Sequence, residues 1–293
     1  MANIHYNNCP VCDSKFFTHY LNAQDWGYSK KYFEIVKCSK CSFSFTQDVP
    51  DQEDIAVYYR HSDYVSHTDT NEGLFFKVYH KVREHMLNKK RAWVENHTKK
   101  GSVLDIGAAT GYFLANLKNN GWQVFGFEPE ESAREIAKAK NGIDLIDNFT
   151  PLFKEGKKFN AITMWHVLEH VHELNLYFEH FKKLLNDDGK VFIAVPNHDS
   201  LDASFYKEKW AAWDMPKHLW HFNPASLKAL AEKHNFELVK MYGLPFDAFY
   251  VSLLSTQSFL GKLVAPFIGL VSFVNETINV KKSSSVLYVL KRK

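Results

Sequence analysis

Four cysteines form two CxxC pairs near the start of the chain, Cys9 with Cys12 in CPVC and Cys38 with Cys41 in CSKC. Two turns of this spacing present four thiolates tetrahedrally to Zn²⁺. Two disulfides or a redox pair are the alternatives. A chain start without a secretory signal favours a reducing compartment, and a redox motif needs no second CxxC. We therefore predict a structural zinc site, which leaves no cysteine for catalysis.

A second group of chemically informative residues lies in LDIGAATG, which contains Asp105, Gly107 and Gly111. Glycines let the backbone approach a ligand closely, and a helix that starts here presents free N–H groups to a carboxylate. Glu128 ends the next apolar run and is placed to accept hydrogen bonds from two ribose hydroxyls. Together these residues predict a site for a nucleoside cofactor.

The segment HVLEH contains His166, Glu169 and His170 in the spacing HxxEH. On a helix this spacing is the inverted zinc-protease motif. Here it directly follows an apolar strand in a cofactor-binding domain, and this context argues against a protease.

A further histidine cluster, WAAWDMPKHLWHFNP, contains Trp210, Trp213, His218 and His221. We expect residues 198–222 to form a loop at the ligand end of the sheet, because the following Asn-Pro is typical of a helix start. One interpretation makes this loop the wall of a substrate pocket, in which one histidine takes a proton from the reacting atom of the substrate. The other is that these rings only pack the loop.

The elements that must position these residues alternate between strand and helix from Gly101 onward. SVLDIG, WQVFGFE, IDLI, FNAITMW and KVFIAVP read as parallel strands, FELVKMYG as a sixth strand and SSSVLYVLKRK as an antiparallel seventh. The fold class is therefore α/β, a doubly wound, seven-stranded Rossmann-like sheet. Ligands of such sheets bind at the carboxyl ends of the strands.

The GAATG turn, the FEPE segment, MWHVLEHVHE and LLNDDGKVFIAVPN together resemble class I S-adenosylmethionine-dependent methyltransferases. The resemblance covers residues 102–242 and is greatest to the group with the ubiquinone-biosynthesis O-methyltransferases and sugar methyltransferases. It implies methyl transfer from S-adenosylmethionine, with Asp105 at the methionine end, Glu128 at the ribose, 147–149 at the adenine and 164–166 nearest the methyl. The implied cofactor-binding residues are Asp105, Gly107, Ala108, Thr110, Gly111, Tyr112, Phe113, Glu128, Pro129, Asp147, Asn148, Phe149, Met164, Trp165 and His166.

The resemblance also bears on HVLEH. In the ubiquinone-type enzymes the equivalent stretch has two acidic residues and a histidine and is associated with a divalent metal, and His166 here stands in place of the first acid. One interpretation is therefore that a divalent metal binds near Glu169 and His170. The alternative is that these two residues cap and brace a helix. We predict His166, His170 and His218 as catalytic residues, with Tyr59 or Tyr64 as further pocket residues.

The balance of charged residues limits which classes of binding partner we expect. With 36 basic and 33 acidic residues the net charge is only +3, which does not call for nucleic acid or an acidic membrane surface. We expect a small-molecule acceptor such as a sugar, lipid or quinone, with oxygen as the favoured atom, and a cytoplasmic location. A zinc-ribbon RNA methyltransferase and a catalytically silent cofactor-binding module are the alternatives.

The predicted organisation is a zinc knuckle over residues 1–50, a linker and cap helix over 51–100, and a methyltransferase domain over 101–293 with a lid insertion at 243–282. The cap helix carries an apolar stripe at Phe75, Val78, Tyr79, Val82, Met86 and Trp93. Lys262 interrupts the apolar insertion, so that neither half reaches the roughly 18 residues of a spanning helix. We expect no transmembrane segment, and peripheral membrane contact and a homodimer stay open.

Overall fold

The N-terminal part of the protein folds as short antiparallel strands. In the computed structural model, which describes residues 3–60 and 74–293, they are β1 (Asn3–Ile4), β2 (Phe17–Gln24), β3 (Tyr32–Cys38), β4 (Ser44–Thr46) and β5 (Val49–Pro50). The strands β2, β3 and β4 pair in sequence, and β1 pairs with β5. In the tight turn after β3 the Cys38 N–H donates to the carbonyl of Phe43, and Ser42 has φ 61°. This turn positions the second CxxC pair.

Two helices connect this part to the main domain, α1 (Ala56–Arg60) and α2 (Leu74–Glu95). Trp93 of α2 is buried and stacks on Trp165 and Tyr242 with ring centroids 6.4 and 5.5 Å apart. The predicted packing of the cap helix on the following domain is therefore confirmed at this end. The side chains of Phe75, Val78 and Tyr79 lie outside the described part of the chain, as does Tyr64.

The main domain alternates strands and helices from residue 102. Its elements are β6 (Ser102–Ile106), α3 (Tyr112–Asn119), β7 (Gln123–Phe127), α4 (Glu131–Asn141), α5 (Thr150–Lys154), β8 (Phe159–Trp165), α6 (Leu174–Leu184), β9 (Leu185–Pro196), α7 (Leu201–Tyr206), β10 (Trp220–His221), α8 (Pro224–Lys233), β11 (Phe236–Gly243), α9 (Asp247–Leu254), α10 (Phe259–Ile278) and β12 (Ser285–Arg292).

These elements build a six-stranded sheet in the order β11-β12-β9-β8-β6-β7. Neighbours from β9 to β7 are parallel, and β12 runs antiparallel to both β9 and β11. The buried strands carry almost continuous apolar runs, as expected when helices cover both faces. The Rossmann-like fold with an antiparallel last strand is confirmed.

One predicted strand forms only an isolated bridge. Among the described residues the sheet therefore has six strands, and the prediction of seven strands was wrong. The segment IDLI contributes only the parallel bridge between Phe127 and Ile146. The chain enters α5 at Thr150, with Pro151 in its first turn, and so bends away before the ladder can extend.

The loop after β9 returns to the N-terminal strands. Its strand β10 pairs antiparallel with β4, with Trp220 opposite Phe45 and His221 opposite Ser44. The four-stranded sheet β10-β4-β3-β2 therefore combines three strands of the predicted zinc knuckle with one strand of the predicted domain 101–293. The predicted start of α8 is confirmed, because Asn223 accepts a hydrogen bond from the Ser226 N–H in a capping box.

The insertion between β11 and β12 is a helical hairpin, in which α9 packs against α10. Lys262 lies within the first turn of α10 and does not interrupt it, so the expectation of two short halves was wrong. The single helix Phe259–Ile278 is long and apolar enough to span a membrane by length and composition, with a mean hydropathy of 1.4 over its most apolar window and 22% of that window buried.

Candidate active site

The carboxyl ends of β6 and β7 bring Asp105 and Glu128 to one edge of the sheet. The two strands are adjacent and parallel, with Asp105 opposite Gly126 and Ile106 opposite Phe127. Gly107 follows β6 directly, and its N–H donates to the carbonyl of Phe127. The predicted glycine turn and the predicted carboxylate therefore lie side by side.

Asp105 is buried, with 2% of its surface exposed. Its Oδ1 accepts a hydrogen bond from the Thr163 hydroxyl at 2.5 Å. Burial raises the pKa of Asp105 to about 7, although the Thr163 hydrogen bond and the Lys90 charge oppose the shift. A buried carboxylate with few partners is suited to accept from a bound ammonium group, which would favour its charged form.

Glu128 accepts backbone hydrogen bonds at both carboxylate oxygens. The Ala109 N–H donates to Oε2 at 2.8 Å and the Glu130 N–H to Oε1 at 3.1 Å. Burial raises the pKa of Glu128, and these two amides act in the opposite direction. The amides fix the carboxylate at the end of β7, where its remaining lone pairs can accept from a diol.

The turn between β6 and α3 is shaped by glycines in the left-handed region. Gly107 has φ +72° and Gly111 has φ +77°. A Cβ at Gly107 would lie 2.4 Å from Cγ2 of Val167, so a side chain does not fit there. Gly111 is the N-cap of α3 and has no side chain with which to cap the helix, and a helix N-terminus of this kind is suited to bind an anion.

The residues predicted at the adenine lie at the start of α5. The ring of Phe149 stacks on Phe127 with centroids 4.4 Å apart, and the Asn148 side chain accepts from the Thr150 N–H. Asp147 and Asn148 are exposed, and Asp147 accepts a hydrogen bond from the Asn148 amide. Contacts of this segment with adenine stay a prediction.

The remaining predicted cofactor residues surround the same turn. The Ala108 N–H donates to the carbonyl of Phe127, and the carbonyl of Thr110 accepts from Asn141. The ring of Phe113 meets Trp165 edge to face at 5.4 Å, and the carbonyl of Pro129 accepts from Arg134. Tyr112 lies under the Arg83 guanidinium at 4.2 Å, and Met164 is fully buried. These residues therefore lie near the turn between β6 and α3, and their contacts with a cofactor stay predictions.

His166 follows β8 and is 33% exposed at its side chain. Its Nε2 lies 3.1 Å from Asp247 Oδ2, and its Nδ1 lies 3.5 Å from Glu169 Oε1. Burial alone would lower the pKa of His166, but the two carboxylates outweigh it and raise the pKa to about 9. The ring is therefore an imidazolium at neutral pH in the ligand-free protein.

The HxxEH segment is not helical. Residues 168–170 form a turn, α6 begins at Leu174, and its N-cap Glu173 makes no side-chain capping bond. The protease arrangement on one helix face is therefore absent. The alternative that Glu169 and His170 cap and brace a helix was also wrong, because α6 begins at Leu174 with Glu173 as its N-cap. The Glu169 carbonyl instead accepts from the N–H of Leu219 in the loop after β9.

His170 and His218 lie together, with ring centroids 4.5 Å apart. The His218 Nδ1 donates to the carbonyl of Ala212 at 2.8 Å, and the His170 Nδ1 lies 3.0 Å from the Tyr59 hydroxyl. Burial lowers the pKa of His170 to about 4 and that of His218 to about 3. Both rings are therefore neutral at pH 7.

The Glu169 carboxylate lies beside these two rings. It is 1% exposed at its side chain, and neither oxygen makes a hydrogen bond within the described residues. One ligand atom from each of Glu169, His170 and His218 lies within 4.8 Å of the others. The divalent metal left open by the sequence stays open here.

The other aromatic residues of the loop pack it together. The Trp210 Nε1 donates to Asp202, the Trp213 Nε1 donates to the carbonyl of Lys207, and both rings are buried. His221 Nε2 lies 2.9 Å from the Thr46 hydroxyl in the N-terminal sheet. Packing of the loop is therefore the role that the geometry supports for Trp210, Trp213 and His221.

The four cysteines meet as predicted. Cys9 Sγ lies 3.5 Å from Cys41 Sγ, Cys12 Sγ lies 3.5 Å from Cys38 Sγ, and all four lie within 4.8 Å of one another. Tetrahedral Zn–S bonds of about 2.3 Å require sulfur atoms about 3.8 Å apart. The donor set and its spacing therefore fit a zinc ion.

Three site residues were missed by the sequence analysis. Lys90 of α2 has its Nζ 4.5 Å above the Trp165 ring, and burial lowers its pKa. A signal for it existed, since this lysine falls in line with Met86 and Trp93 on the apolar stripe. Thr163 and Asp247 have no comparable signal.

Similarity to known proteins identifies the family of this chain. The family described as "Methyltransferase domain" matches residues 79–241, more than half of the chain. The chain belongs to this family. The match to the methyltransferase domain covers the glycine turn, Glu128 and the HVLEH segment, so the resemblance seen in the sequence is confirmed.

Individual relatives of the methyltransferase domain are distant. A ubiquinone biosynthesis O-methyltransferase of Pelagibacter ubique is 28% identical over 158 residues, which cover 50% of this chain and 65% of that protein. An uncharacterized methyltransferase of Alkaliphilus oremlandii is 33% identical over 102 residues, 33% of this chain and 46% of its own. The chain thus matches less than two thirds of the length of these relatives.

Two solved structures share the fold. Magnesium protoporphyrin IX methyltransferase of Synechocystis PCC 6803 with bound SAH has a TM-score of 0.54 at 14% identity, covering 83% of this chain and all of that one. A SAM-dependent methyltransferase of Archaeoglobus fulgidus has a TM-score of 0.50 at 20% identity, covering 75% and 100%.

Proposed function

We propose that this protein transfers the methyl group of S-adenosylmethionine to a small-molecule acceptor, with oxygen as the favoured atom and a sugar, lipid or quinone-like molecule as the acceptor class. The observation that carries the proposal is the pair of fixed carboxylates, Asp105 and Glu128, on either side of a glycine turn at the end of adjacent parallel strands. Membership of the methyltransferase-domain family supports it.

The residues present fit this cofactor. Glu128 is held by two amides and would accept hydrogen bonds from the ribose hydroxyls, and the start of α3 would bind the carboxylate of the donor. We assign Asp105 to accept a hydrogen bond from the ammonium group, because its buried carboxylate lies at the end of β6. When bound, S-adenosylmethionine supplies an electrophilic methyl group on its sulfonium sulfur.

The chain's own part in the reaction is alignment and proton removal. In-line transfer depends mainly on holding the acceptor against the methyl group, with a base where the acceptor must lose a proton. We assign proton removal to His166, which must first lose the proton that it carries in the ligand-free protein, and the positive charge of the bound donor would favour that loss. Asp247 and Glu169 would then stabilise the imidazolium that forms when His166 takes the proton of the acceptor. We assign to neutral His170 and His218, whose rings lie side by side, the role of hydrogen-bonding and orienting the acceptor.

Donor binding is the decisive test. Isothermal titration with S-adenosylmethionine should give saturable binding, and Glu128→Ala should weaken it at least tenfold. Glu131→Ala, an exposed residue in the first turn of α4, is the matched control and should bind as the natural chain does. Release of S-adenosylhomocysteine over a panel of sugars, phenols and lipids then tests transfer. Absent donor binding, with the fold intact by circular dichroism, would refute the proposal.

We further propose that Cys9, Cys12, Cys38 and Cys41 hold one structural zinc ion. Four thiolates complete a tetrahedral site, so the metal would stabilise the N-terminal sheet and would leave no position for a substrate.

A further inference from the structure

The helical hairpin of α9 and α10 presents a broad apolar face to solvent. On α10 the side chains of Phe259, Leu260, Leu263, Phe267 and Ile278 are each 63% to 80% exposed. Tyr250, Leu253 and Leu254 of α9 add side chains that are 43% to 55% exposed. Contiguous apolar surface of this kind marks a site of contact with a partner or a membrane.

The opposite face of α10 is fixed to the protein. Ser272 donates to the Asp202 carboxylate at 3.0 Å, and Asp202 is fully buried and also accepts from Trp210 and Ser284. A Cβ at Gly269 would lie 2.7 Å from the Phe249 ring, so the two helices are in close contact. The helix therefore lies along the domain surface over its 20 residues, about 30 Å, and does not leave the domain to cross a bilayer.

The charges around the hairpin decide between a lipid surface and a second copy of the chain. Lys262, Lys281 and Lys282 are exposed at the two ends of α10. Of the two acidic residues from 247 to 282, Asp247 contacts His166, and burial raises the pKa of Glu276 to about 7. Pairing two copies of α10 in either direction would bring lysine near lysine, whereas anionic headgroups would neutralise these charges.

We propose that α9 and α10 dock the protein on an anionic lipid surface, with the exposed face of α10 in the boundary between headgroups and acyl chains and the three lysines at the phosphates. An apolar helix face flanked by lysines is the arrangement of an interfacial helix. Asp247, the first residue of α9, contacts His166, so docking through this hairpin would orient the acceptor side of the site toward the membrane. The docking itself does not depend on methyl transfer.

The test is flotation of the full-length protein with vesicles. We expect it to float with vesicles of phosphatidylcholine and phosphatidylglycerol, less with phosphatidylcholine alone, and less at high salt. Phe259→Asp should lower vesicle binding at least tenfold. Phe16→Asp, next to β2 in the N-terminal part, is the matched control, because Phe16 and Phe259 are both 77% exposed, and it should bind as the natural chain does. Lys281→Glu with Lys282→Glu should remove the preference for phosphatidylglycerol.

Two results would overturn the proposal. One is failure of the natural protein to float with phosphatidylglycerol vesicles at low salt. The other is a dimer in sedimentation velocity that Phe259→Asp converts to a monomer, which would assign this face to a second copy. Calorimetric binding of S-adenosylmethionine to Phe259→Asp shows whether its fold and donor site are intact, so a failure of docking is distinguishable from a failure of the proposed methyl transfer.

Discussion

His166 Nε2 lies 3.1 Å from Asp247 Oδ2, which joins the end of β8 to the first turn of α9. The carboxylate comes from the insertion between β11 and β12, and the histidine from the strand end nearest the predicted methyl position. We expect Asp247→Asn to lower the pKa of His166 from about 9, because the variant removes one of the two negative charges that stabilise the imidazolium. Nuclear magnetic resonance titration of the histidine ring protons measures this. An unchanged pKa would mean that the pair does not form in solution.

The glycine turn gives a prediction about stability. Gly107→Ala and Gly121→Ala both place a side chain at positive φ, at +72° and +86°, which costs about 1–2 kcal/mol. Only at Gly107 does the new Cβ also meet Val167, at 2.4 Å, whereas nothing lies within 4 Å of it at Gly121. Urea unfolding should therefore show a larger loss of unfolding free energy for Gly107→Ala, partly restored by Val167→Ala. Equal losses at the two glycines would contradict the contact.

The cysteine cluster predicts one zinc ion per chain, measured by atomic emission on purified protein. Cys12→Ser should lower this content severalfold and lower the midpoint of thermal unfolding, because metal binding energy contributes to folding. Ser39→Ala, within the second CxxC turn, removes no sulfur ligand and serves as the control. A protein without zinc that melts at the same temperature as the zinc-loaded chain would disprove a structural role.

Buried histidines predict a loss of stability in mild acid. His198 is 4% exposed, and burial lowers its pKa to about 4, below the value of about 6.5 for an unfolded chain. Between these values the unfolded state binds the extra proton, so the free energy of unfolding falls as the pH drops.

For His198 alone this loss is on the order of 2 kcal/mol between pH 7 and 5. His198→Phe removes the ionisation and retains a ring to stack on Trp213. Urea unfolding of the variant should therefore show a smaller pH dependence than the natural chain. A pH dependence as steep as that of the natural chain would show that His198 does not carry the effect.

The sequence predicted the site best where its residues lie close together along the chain. The CxxC pairs and the turn from Asp105 to Gly111 are short motifs, and each forms the predicted local geometry. Asp247 could not be assigned in this way, because its contact with His166 depends on how a long insertion folds back over the sheet. The extent of α10 does not follow from the position of Lys262 within the apolar run. An exposed lysine in the first turn of a helix costs little free energy and does not end the helix.

The sequence also did not predict the pairing of strands from distant segments of the chain. Trp220 falls within the predicted loop 198–222, but it lies in β10, opposite Phe45 of β4, with its Nε1 donating to the carbonyl of Val171. Two-residue strands carry no periodicity, so only the packed partner identifies them.

This shared sheet sets a limit on how the chain can be divided. A shortened chain that starts at residue 51 would expose the edge of β10 and the rings around Trp220, so we do not expect the methyltransferase domain to tolerate removal or exchange of its first fifty residues. His218 lies two residues before β10, and Thr46 of β4 donates its hydroxyl hydrogen bond to the His218 carbonyl. We therefore expect loss of the proposed zinc ion to disturb the backbone at His218 through β3, β4 and β10.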